Sequence, residues 1–246
     1  MTRWRACQTV PMADAVRFLA LVFPNVTQLD VTGPAQFFSA PAGVTVDLAW
    51  KTREPVVTDV GFAIVPTTDF ASAPQADVLM IPGGQGVFDL LEDAETLAFV
   101  RQQAAGARYV TSVCTGAFLL GAAGLLVGKR ATTHWNSHAL LALLGATPDS
   151  ARVVRDGNVI TGGGVTAGLD FALTVLAEVF DEKTARAVQL GYEYDPAPRF
   201  DAGHPSRPEA DQGQVEHTLA IRGALREPVV RRAAAALAGL DASTAS

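Results

Sequence analysis

Cys114 is the residue of this chain best suited to covalent chemistry. It lies within residues 112–116, between a predicted strand at 109–113 and a run of small and aliphatic residues typical of a helix. A helix amino terminus favours the thiolate, which is the nucleophilic form of cysteine. The tight turn predicts a strained backbone and a sulfur that points into a cleft. The same pattern also fits a cysteine that is only a small buried hydrophobic residue.

Asp30 is the carboxylate best placed to assist this cysteine. It follows soon after the apolar run 16–23, which has the composition of a strand buried on both faces of a parallel sheet. There it could accept a hydrogen bond from the thiol, hold a substrate, or transfer protons as general acid and base. A carboxylate between a strand and a helix start could equally be a helix cap or an ion-pair partner.

Gly83, Gly84 and Thr115 could complete such a site. The two glycines follow a predicted strand at 78–81, and their amides could bind developing negative charge as an oxyanion hole does. A Pro-Gly-Gly turn alone does not establish that role. Thr115 brings a backbone N–H and a hydroxyl group beside the nucleophile, so it could orient substrate or water, or simply cap the helix.

His134 is the histidine that could act as a partner of the cysteine, because a short strand predicted at 132–135 would lie beside the neighbouring strand ends. It could also be a structural histidine. None of the four histidines is spaced with a cysteine or carboxylate as a metal-ligand set, so we predict no metal. Glycines 162–164 lack the order of a dinucleotide-binding loop.

Strands and helices alternate along the chain. Strands are predicted at 16–23, 44–50, 62–66, 78–81, 109–113 and 132–135, a hairpin at 153–161, and helices at 34–40, 95–105, 115–123, 138–144, 165–180, 183–192 and 215–240, with Pro228 as a candidate break. This alternation predicts an α/β fold with a mainly parallel sheet sandwiched by helices. Sites in such sheets form at the carboxyl ends of strands, where Asp30, the two glycines and Cys114 all fall.

Composition narrows the class of protein. The chain has 246 residues, of which 49% are hydrophobic and 18% charged, which suits a single large core. We expect residues 1–14 to be a disordered extension, 15–198 to form the α/β domain, and 199–246 to be a loop and a helical extension packed on that domain. The net charge of −6, with both signs interspersed, argues against nucleic acid as a partner.

The expected compartment is the cytoplasm. No apolar run is long enough for a signal peptide or a membrane helix, so we expect no membrane partner. Only two cysteines are present, Cys7 and Cys114, and they do not suggest a disulfide framework.

Several segments together resemble a known superfamily. They are residues 28–34, 82–84, 109–117, 122–126, 131–135, 152–158 and 161–170, and they extend over about residues 16 to 198. These segments are similar to the ThiJ/PfpI superfamily of class I amidotransferase-like proteins. The resemblance implies a flavodoxin-like, class I glutamine amidotransferase-like fold and a homodimer.

Within the superfamily, the segments are most similar to the branch that hydrates isocyanides. The resemblance implies that Cys114 attacks the terminal carbon of R–N≡C while Asp30 supplies a proton, which gives a thioimidate that water converts to an N-substituted formamide. Thr115 would position the substrate, the backbone of Gly84 would stabilise the intermediate, and no cofactor would be needed. A glutathione-independent glyoxalase or deglycase, and a ligand or oxidation sensor related to AraC-type regulator domains, are the alternatives.

Overall fold

The computed structural model describes residues 15–244 of the chain. The expected extension at residues 1–14, which includes Cys7, lies outside the described residues. Within the part that is described, no helix combines the length and the apolar character that crossing a membrane requires.

Strands form a central sheet and two small ribbons. In chain order they are β1 (Val16–Leu21), β2 (Val44–Trp50), β3 (Val56–Val57), β4 (Ala63–Ile64), β5 (Thr68–Asp69), β6 (Val78–Ile81), β7 (Tyr109–Val113), β8 (Arg130–Ala131), β9 (Thr147–Pro148), β10 (Val153–Asp156) and β11 (Val159–Gly162). The central sheet has seven strands in the order β10-β11-β7-β6-β1-β2-β5. Its neighbouring strands are parallel except for the β10–β11 hairpin. The predicted mainly parallel sheet is confirmed.

Helices cover both faces of this sheet. In chain order they are α1 (Gln28–Phe38), α2 (Val87–Leu90), α3 (Ala94–Gly106), α4 (Gly116–Ala122), a 3-10 helix (Trp135–Leu144), α5 (Ala167–Val179), α6 (Glu182–Gly191) and α7 (Gln212–Thr244). One core lies between the sheet and helices α2, α3, α4 and α7, and a second core lies between the sheet and helices α1, α5 and α6. This is the predicted sandwich of a sheet between helices.

Strand β1 shows why the apolar run in its sequence forms a central strand. Successive side chains of a strand point to opposite faces of the sheet. Leu19 and Leu21 belong to one core, whereas Phe18 and Ala20 belong to the other. The four fully buried positions of β1, residues 18–21, are therefore all apolar, and burial of each large side chain contributes about 1.5–3 kcal/mol.

The predicted start of the first helix is wrong. Helix α1 begins at Gln28, and Pro34 lies inside it rather than at its first position. The start is set by Thr27, whose N–H donates to the carbonyl of Gly83 at 2.9 Å and whose carbonyl accepts from the Asp30 N–H at 3.1 Å. Asp30 is therefore part of the first helical turn. A backbone contact between segments so distant in the chain leaves no local sequence signal.

One strand prediction is confirmed only in part, and another is wrong. Residues 62–66 contribute only β4, which pairs with β3 in a ribbon outside the central sheet. Residues 132–135 form no strand, since the short strand β8 ends at Ala131. Instead, the hydroxyl group of Thr133 donates to the carbonyl of Cys114 at 2.6 Å, so this segment is held to the sheet by a side chain.

Helix α7 continues through Pro228 and lies against α2, α4 and the 3-10 helix. A proline inside a helix costs about 3 kcal/mol because it removes a hydrogen bond and crowds the preceding turn. Beyond it, Val230 and Ala233 are 0% and 2% exposed and belong to the core. Burial of this part of the helix offsets the cost of the proline, so the helix continues.

Candidate active site

Four neighbouring parallel strands end at one edge of the central sheet, in the order β11-β7-β6-β1. The segment after β1 carries Asp30, the one after β6 carries Gly83 and Gly84, and the one after β7 carries Cys114. The turn after β11 begins at Gly163. The structure thus brings the predicted segments to one place and adds the glycine turn after β11.

Gly83 lies at the centre of this group. Its N–H donates to Asp30 Oδ2 at 2.9 Å. A Cβ atom at this position would lie 2.7 Å from Cys114 Cβ, 2.7 Å from the Thr115 nitrogen and 2.8 Å from Asp30 Oδ2. Such distances are too short for any side chain, so only glycine allows these three residues to approach one another.

Cys114 has the strained backbone that the sequence predicts, with φ of 55°. A residue with a side chain rarely adopts this left-handed conformation, which costs on the order of 1–2 kcal/mol. Three hydrogen bonds hold it: the Cys114 N–H donates to the carbonyls of Gly162 (3.0 Å) and Gly163 (2.8 Å), and its carbonyl accepts from the Thr133 hydroxyl group (2.6 Å). The backbone at the cysteine is therefore fixed from two neighbouring segments.

The close approach of helix α4 to the sheet depends on Gly116. A Cβ atom there would lie 2.1 Å from the carbonyl oxygen of Ile81. The helix that follows Cys114 therefore begins directly against the end of β6.

The expected lowering of the pKa of Cys114 by the helix amino terminus is present but is outweighed by burial. Burial has the largest effect and the charge on Asp30 the second largest, and together they raise the pKa of the thiol to about 12. The backbone N–H groups of Val165 and Thr115, and then the charge on Arg226, lower it by less. Desolvation therefore outweighs the helix amino terminus, and the thiol needs a base to become a nucleophile.

Asp30 has the properties of such a base. Burial raises its pKa from 3.8 to about 7, although the hydrogen bond from Gly83 and the nearby Cys114 thiol favour the charged form. Its Oδ1 atom is buried and has no hydrogen-bond partner among the described residues. Asp30 can therefore gain or lose a proton near neutral pH, and it has a free oxygen atom with which to do so.

Two hydrogen bonds link Thr115 and Gly84. The Gly84 N–H donates to Thr115 Oγ1 at 2.9 Å, and that hydroxyl group donates to the Gly84 carbonyl at 3.0 Å. The amides of Gly83 and Gly84 thus already have acceptors, while the amides of Thr115 and Val165 face the sulfur. Sequence reasoning missed Val165, because its role depends on how the turn after β11 packs against Cys114.

His134 is half-buried at the start of the 3-10 helix, where its Nδ1 accepts from the Asn136 N–H at 3.2 Å. Burial, and next the charge on Arg226, lower its pKa to about 4, so the ring is neutral near pH 7. His134 is not among the groups that shift the pKa of Cys114. This geometry suits the structural alternative better than a role as partner of the cysteine.

Sequence reasoning also missed Arg226, which α7 brings to the site from the far end of the chain. Its side chain is buried and hydrogen-bonds to the segments after Gly84 and after His134. Over residues 15–244, no group of three or more histidine, cysteine, aspartate or glutamate side chains could hold a metal ion.

The fold and the site together define a class of α/β proteins built around one cysteine at a strand-to-helix turn with a buried carboxyl group beside it. The chain belongs to the DJ-1/PfpI family, whose sequence profile matches residues 16–178. The resemblance to the ThiJ/PfpI superfamily is confirmed.

Similar proteins extend over most of the chain. An isonitrile hydratase from Pseudomonas putida is 53% identical over 218 residues, which cover 88% of this chain and 96% of that protein. The Parkinson disease protein 7 homolog of Danio rerio is 30% identical, with 70% of this chain and 94% of that protein covered. A crystal structure of a ThiJ/PfpI family protein from Pseudomonas syringae superposes with a TM-score of 0.86 at 41% identity, covering 94% of this chain and 98% of that one.

Proposed function

We propose that this chain is an isonitrile hydratase, a lyase-type enzyme that converts an isocyanide to an N-substituted formamide through a covalent bond to Cys114. The observation that carries the proposal is the buried pair of Cys114 and Asp30, in which a thiol that needs a base adjoins a carboxyl group with a pKa of about 7. The identity of 53% with the hydratase of Pseudomonas putida supports the choice of substrate.

The first step adds the thiol across the terminal carbon of R–N≡C. Asp30 accepts the proton of the thiol through its free Oδ1 atom as the sulfur attacks the carbon. Asp30 then returns that proton to the same carbon. One S–H bond breaks while one S–C bond and one C–H bond form, so the product is the thioimidate R–N=CH–S–Cys114 and Asp30 is charged again.

The second step hydrolyses the thioimidate. Asp30 accepts a proton from water as the water oxygen adds to the carbon, and it passes this proton to the nitrogen. The C–S bond then breaks as the new hydroxyl group loses its proton to Asp30, which gives it to the sulfur, and the carbonyl of the formamide forms. The products are R–NH–CHO and the free thiol. The cycle therefore needs no cofactor and returns Cys114 and Asp30 to their starting protonation states.

The remaining site residues support these steps. The amides of Thr115 and Val165 stabilise negative charge on the sulfur, and the Thr115 hydroxyl group keeps the Gly84 loop in place for the substrate. The Gly84 amide would bind the intermediate only after release of that hydroxyl group. The role of His134 is to hold the start of the 3-10 helix.

We also propose an oligomeric state, a compartment and a role for each part of the chain. It acts as a homodimer in the cytoplasm on a small-molecule isocyanide, and nucleic acid is not a partner. Residues 15–198 form the catalytic domain, and residues 199–246 form the extension that packs on it. The contacts of α7 with α2, α4 and the 3-10 helix support this last assignment.

The test is steady-state turnover of an aryl isocyanide, followed by absorbance, with the product identified by mass spectrometry. The proposal predicts formamide over many turnovers with the wild-type protein and none with Cys114→Ala. Methylglyoxal is assayed in parallel. Lactate without formamide would identify a glyoxalase, and oxidation of Cys114 by peroxide without turnover of either substrate would identify a sensor.

A further inference from the structure

Arg226 is a buried cation whose hydrogen-bond acceptors, among the described residues, are all neutral. Its side chain is 6% exposed. The guanidinium donates to Asn136 Oδ1 at 2.8 Å, to Ser137 Oγ at 2.6 Å and to Gln85 Oε1 at 3.3 Å, and it lies 4.7 Å from the ring centre of Phe88. Its Nε atom is buried without a partner in that part of the chain.

A buried charge without a counter-ion is unfavourable. Desolvation has the largest effect and the positive charge of Arg222 the second largest, and together they lower the pKa of Arg226 to about 10. This value still leaves the guanidinium charged at neutral pH. Removing such a group from water typically costs several kcal/mol unless a negative charge lies nearby. The groups around Arg226 therefore identify the negative charge that can compensate it.

The acceptors of Arg226 lie on the two segments that flank Cys114. Gln85 directly follows Gly84, whose amide binds the hydroxyl group of Thr115. On the other side, Asn136 and Ser137 follow His134. The guanidinium thus connects the loop after β6 to the start of the 3-10 helix, and these segments adjoin the hydrogen bonds that Gly84 makes to Thr115 and Thr133 makes to Cys114.

The charged groups on the elements next to Arg226 are exposed, ion-paired or of the same sign: Asp89 on α2 is exposed. On α7, Arg222 repels it, and Glu227 pairs with Arg231. After α2, Glu92 pairs with Arg232. His134 is neutral near pH 7, since its pKa is about 4.

The Cys114 sulfur is the group that favours the charged form of Arg226. Asp30 and Arg226 are in turn the two charged side chains that shift the pKa of Cys114. The electrostatic coupling is therefore between Arg226 and the cysteine, and it is favourable when the sulfur is negative.

We propose that Arg226 is a positioning residue that supplies the positive charge facing the Cys114 sulfur in its anionic form and that holds the two segments next to the cysteine at a fixed separation. The inference rests on the proposed role of Cys114 as nucleophile. It makes the carboxyl-terminal helix α7 part of the site, because removal of this charge weakens formation of the thiolate even where the fold is kept.

The test is the rate at which iodoacetamide alkylates Cys114 in the full-length protein, between about pH 6 and 9. The experiment is done with the Cys7→Ser variant as the parent protein, so that Cys114 is the single thiol that iodoacetamide can alkylate. Arg226→Met removes the charge at similar volume, Arg226→Lys keeps the charge but loses the planar fork, and Arg231→Met removes a charge from an exposed position on the same helix.

The proposal predicts that Arg226→Met slows alkylation by roughly tenfold at a given pH, whereas Arg226→Lys and Arg231→Met stay within about twofold of the parent protein. An unchanged rate in Arg226→Met, or equal slowing in the methionine and lysine variants, would overturn it. Alkylation uses no isocyanide, so its outcome is independent of whether the chain proves to be a hydratase.

A second variant covers the case in which Arg226→Met does not fold. Gln85→Glu is nearly isosteric at an exposed position and places a carboxylate where the amide oxygen now lies 3.3 Å from the guanidinium. It compensates the charge of Arg226 without removing the buried side chain. Slower alkylation supports the proposal, and an unchanged rate contradicts it.

Discussion

Asp30 and Cys114 are both buried at the carboxyl ends of β1 and β7, and the charge on Asp30 raises the pKa of Cys114. Because two negative charges in one buried space repel each other, the pair loses its protons one at a time. Its reactive state holds a single proton, on the sulfur or on the carboxyl group. The proposed mechanism moves this one proton from sulfur to carbon through Asp30.

The first prediction concerns the pH dependence of turnover. The doubly protonated pair has no base, so kcat/KM for an aryl isocyanide should rise with pH through about 7, the pKa of Asp30, and then level off. Initial rates between about pH 5 and 9 measure this profile. A flat profile, or a rate that falls as pH rises through neutrality, would exclude Asp30 as the base.

Removal of the base gives the second prediction. Asp30→Asn keeps the shape of the side chain and an acceptor for the Gly83 N–H, but it cannot take a proton from the thiol. We expect kcat/KM to fall by roughly 10²–10⁴-fold and the rise through neutral pH to disappear. The measurement compares the variant with the wild-type protein under the same conditions. Near-normal rates would show that proton transfer does not involve Asp30.

The third prediction links the same carboxyl group to stability. Its pKa is 3.8 when unperturbed and about 7 in the folded protein, so between these values the folded state holds the proton more tightly than the unfolded state does. The contribution of Asp30 to the free energy of unfolding therefore falls as pH rises through this window, by on the order of a few kcal/mol, and is constant above it.

Asp30→Asn provides the comparison, because it has no titrating group at this position. Chemical denaturation of both proteins at several pH values should show the variant gaining stability relative to the wild-type protein from about pH 4 to 7. A difference in stability that does not change with pH would mean that the pKa of Asp30 is not raised.

Gly83 provides a fourth prediction. In Gly83→Ala the new methyl group would lie 2.7 Å from Cys114 Cβ and 2.8 Å from Asp30 Oδ2, so the two residues must move apart. We expect a loss of about 1–3 kcal/mol in the free energy of unfolding and a fall in kcat of at least about 100-fold.

The matched control is Gly191→Ala. Gly191 is the exposed last residue of α6, and a Cβ atom there would have no neighbour within 4 Å. Alanine favours the helix over glycine, so the variant should be as stable as the parent protein or more stable by up to about 1 kcal/mol, with unchanged kcat. Equal kinetics in the two glycine variants would contradict the close packing of Asp30 and Cys114 around Gly83.

Much of the sheet could be predicted because its strands are buried on both faces. Such strands are rich in apolar residues, as 78–81 is throughout and 109–113 is at three of its five positions, and glycines follow where the chain turns at their ends. The carboxyl ends of parallel strands share an edge, so the meeting of Asp30, Gly83 and Cys114 followed from strand assignment alone.

Other features depend on contacts between distant segments. The position of Cys114 before a helix predicts a lowered pKa, but its burial, which only the packed structure reveals, raises that pKa. The Val165 amide reaches the sulfur through the turn after β11. Arg226 lies in a helix rich in arginine, and nothing local distinguishes it from its exposed neighbours Arg231 and Arg232.

The most direct test of the central claim, that Cys114 bonds covalently to the substrate carbon, is the mass of the protein stopped in acid during the first turnover of an isocyanide. We expect an increase equal to the mass of one isocyanide molecule, located on the peptide that contains Cys114, which disappears as formamide accumulates. Formamide production with no such adduct at any time, or an adduct on Cys7 instead, would contradict it.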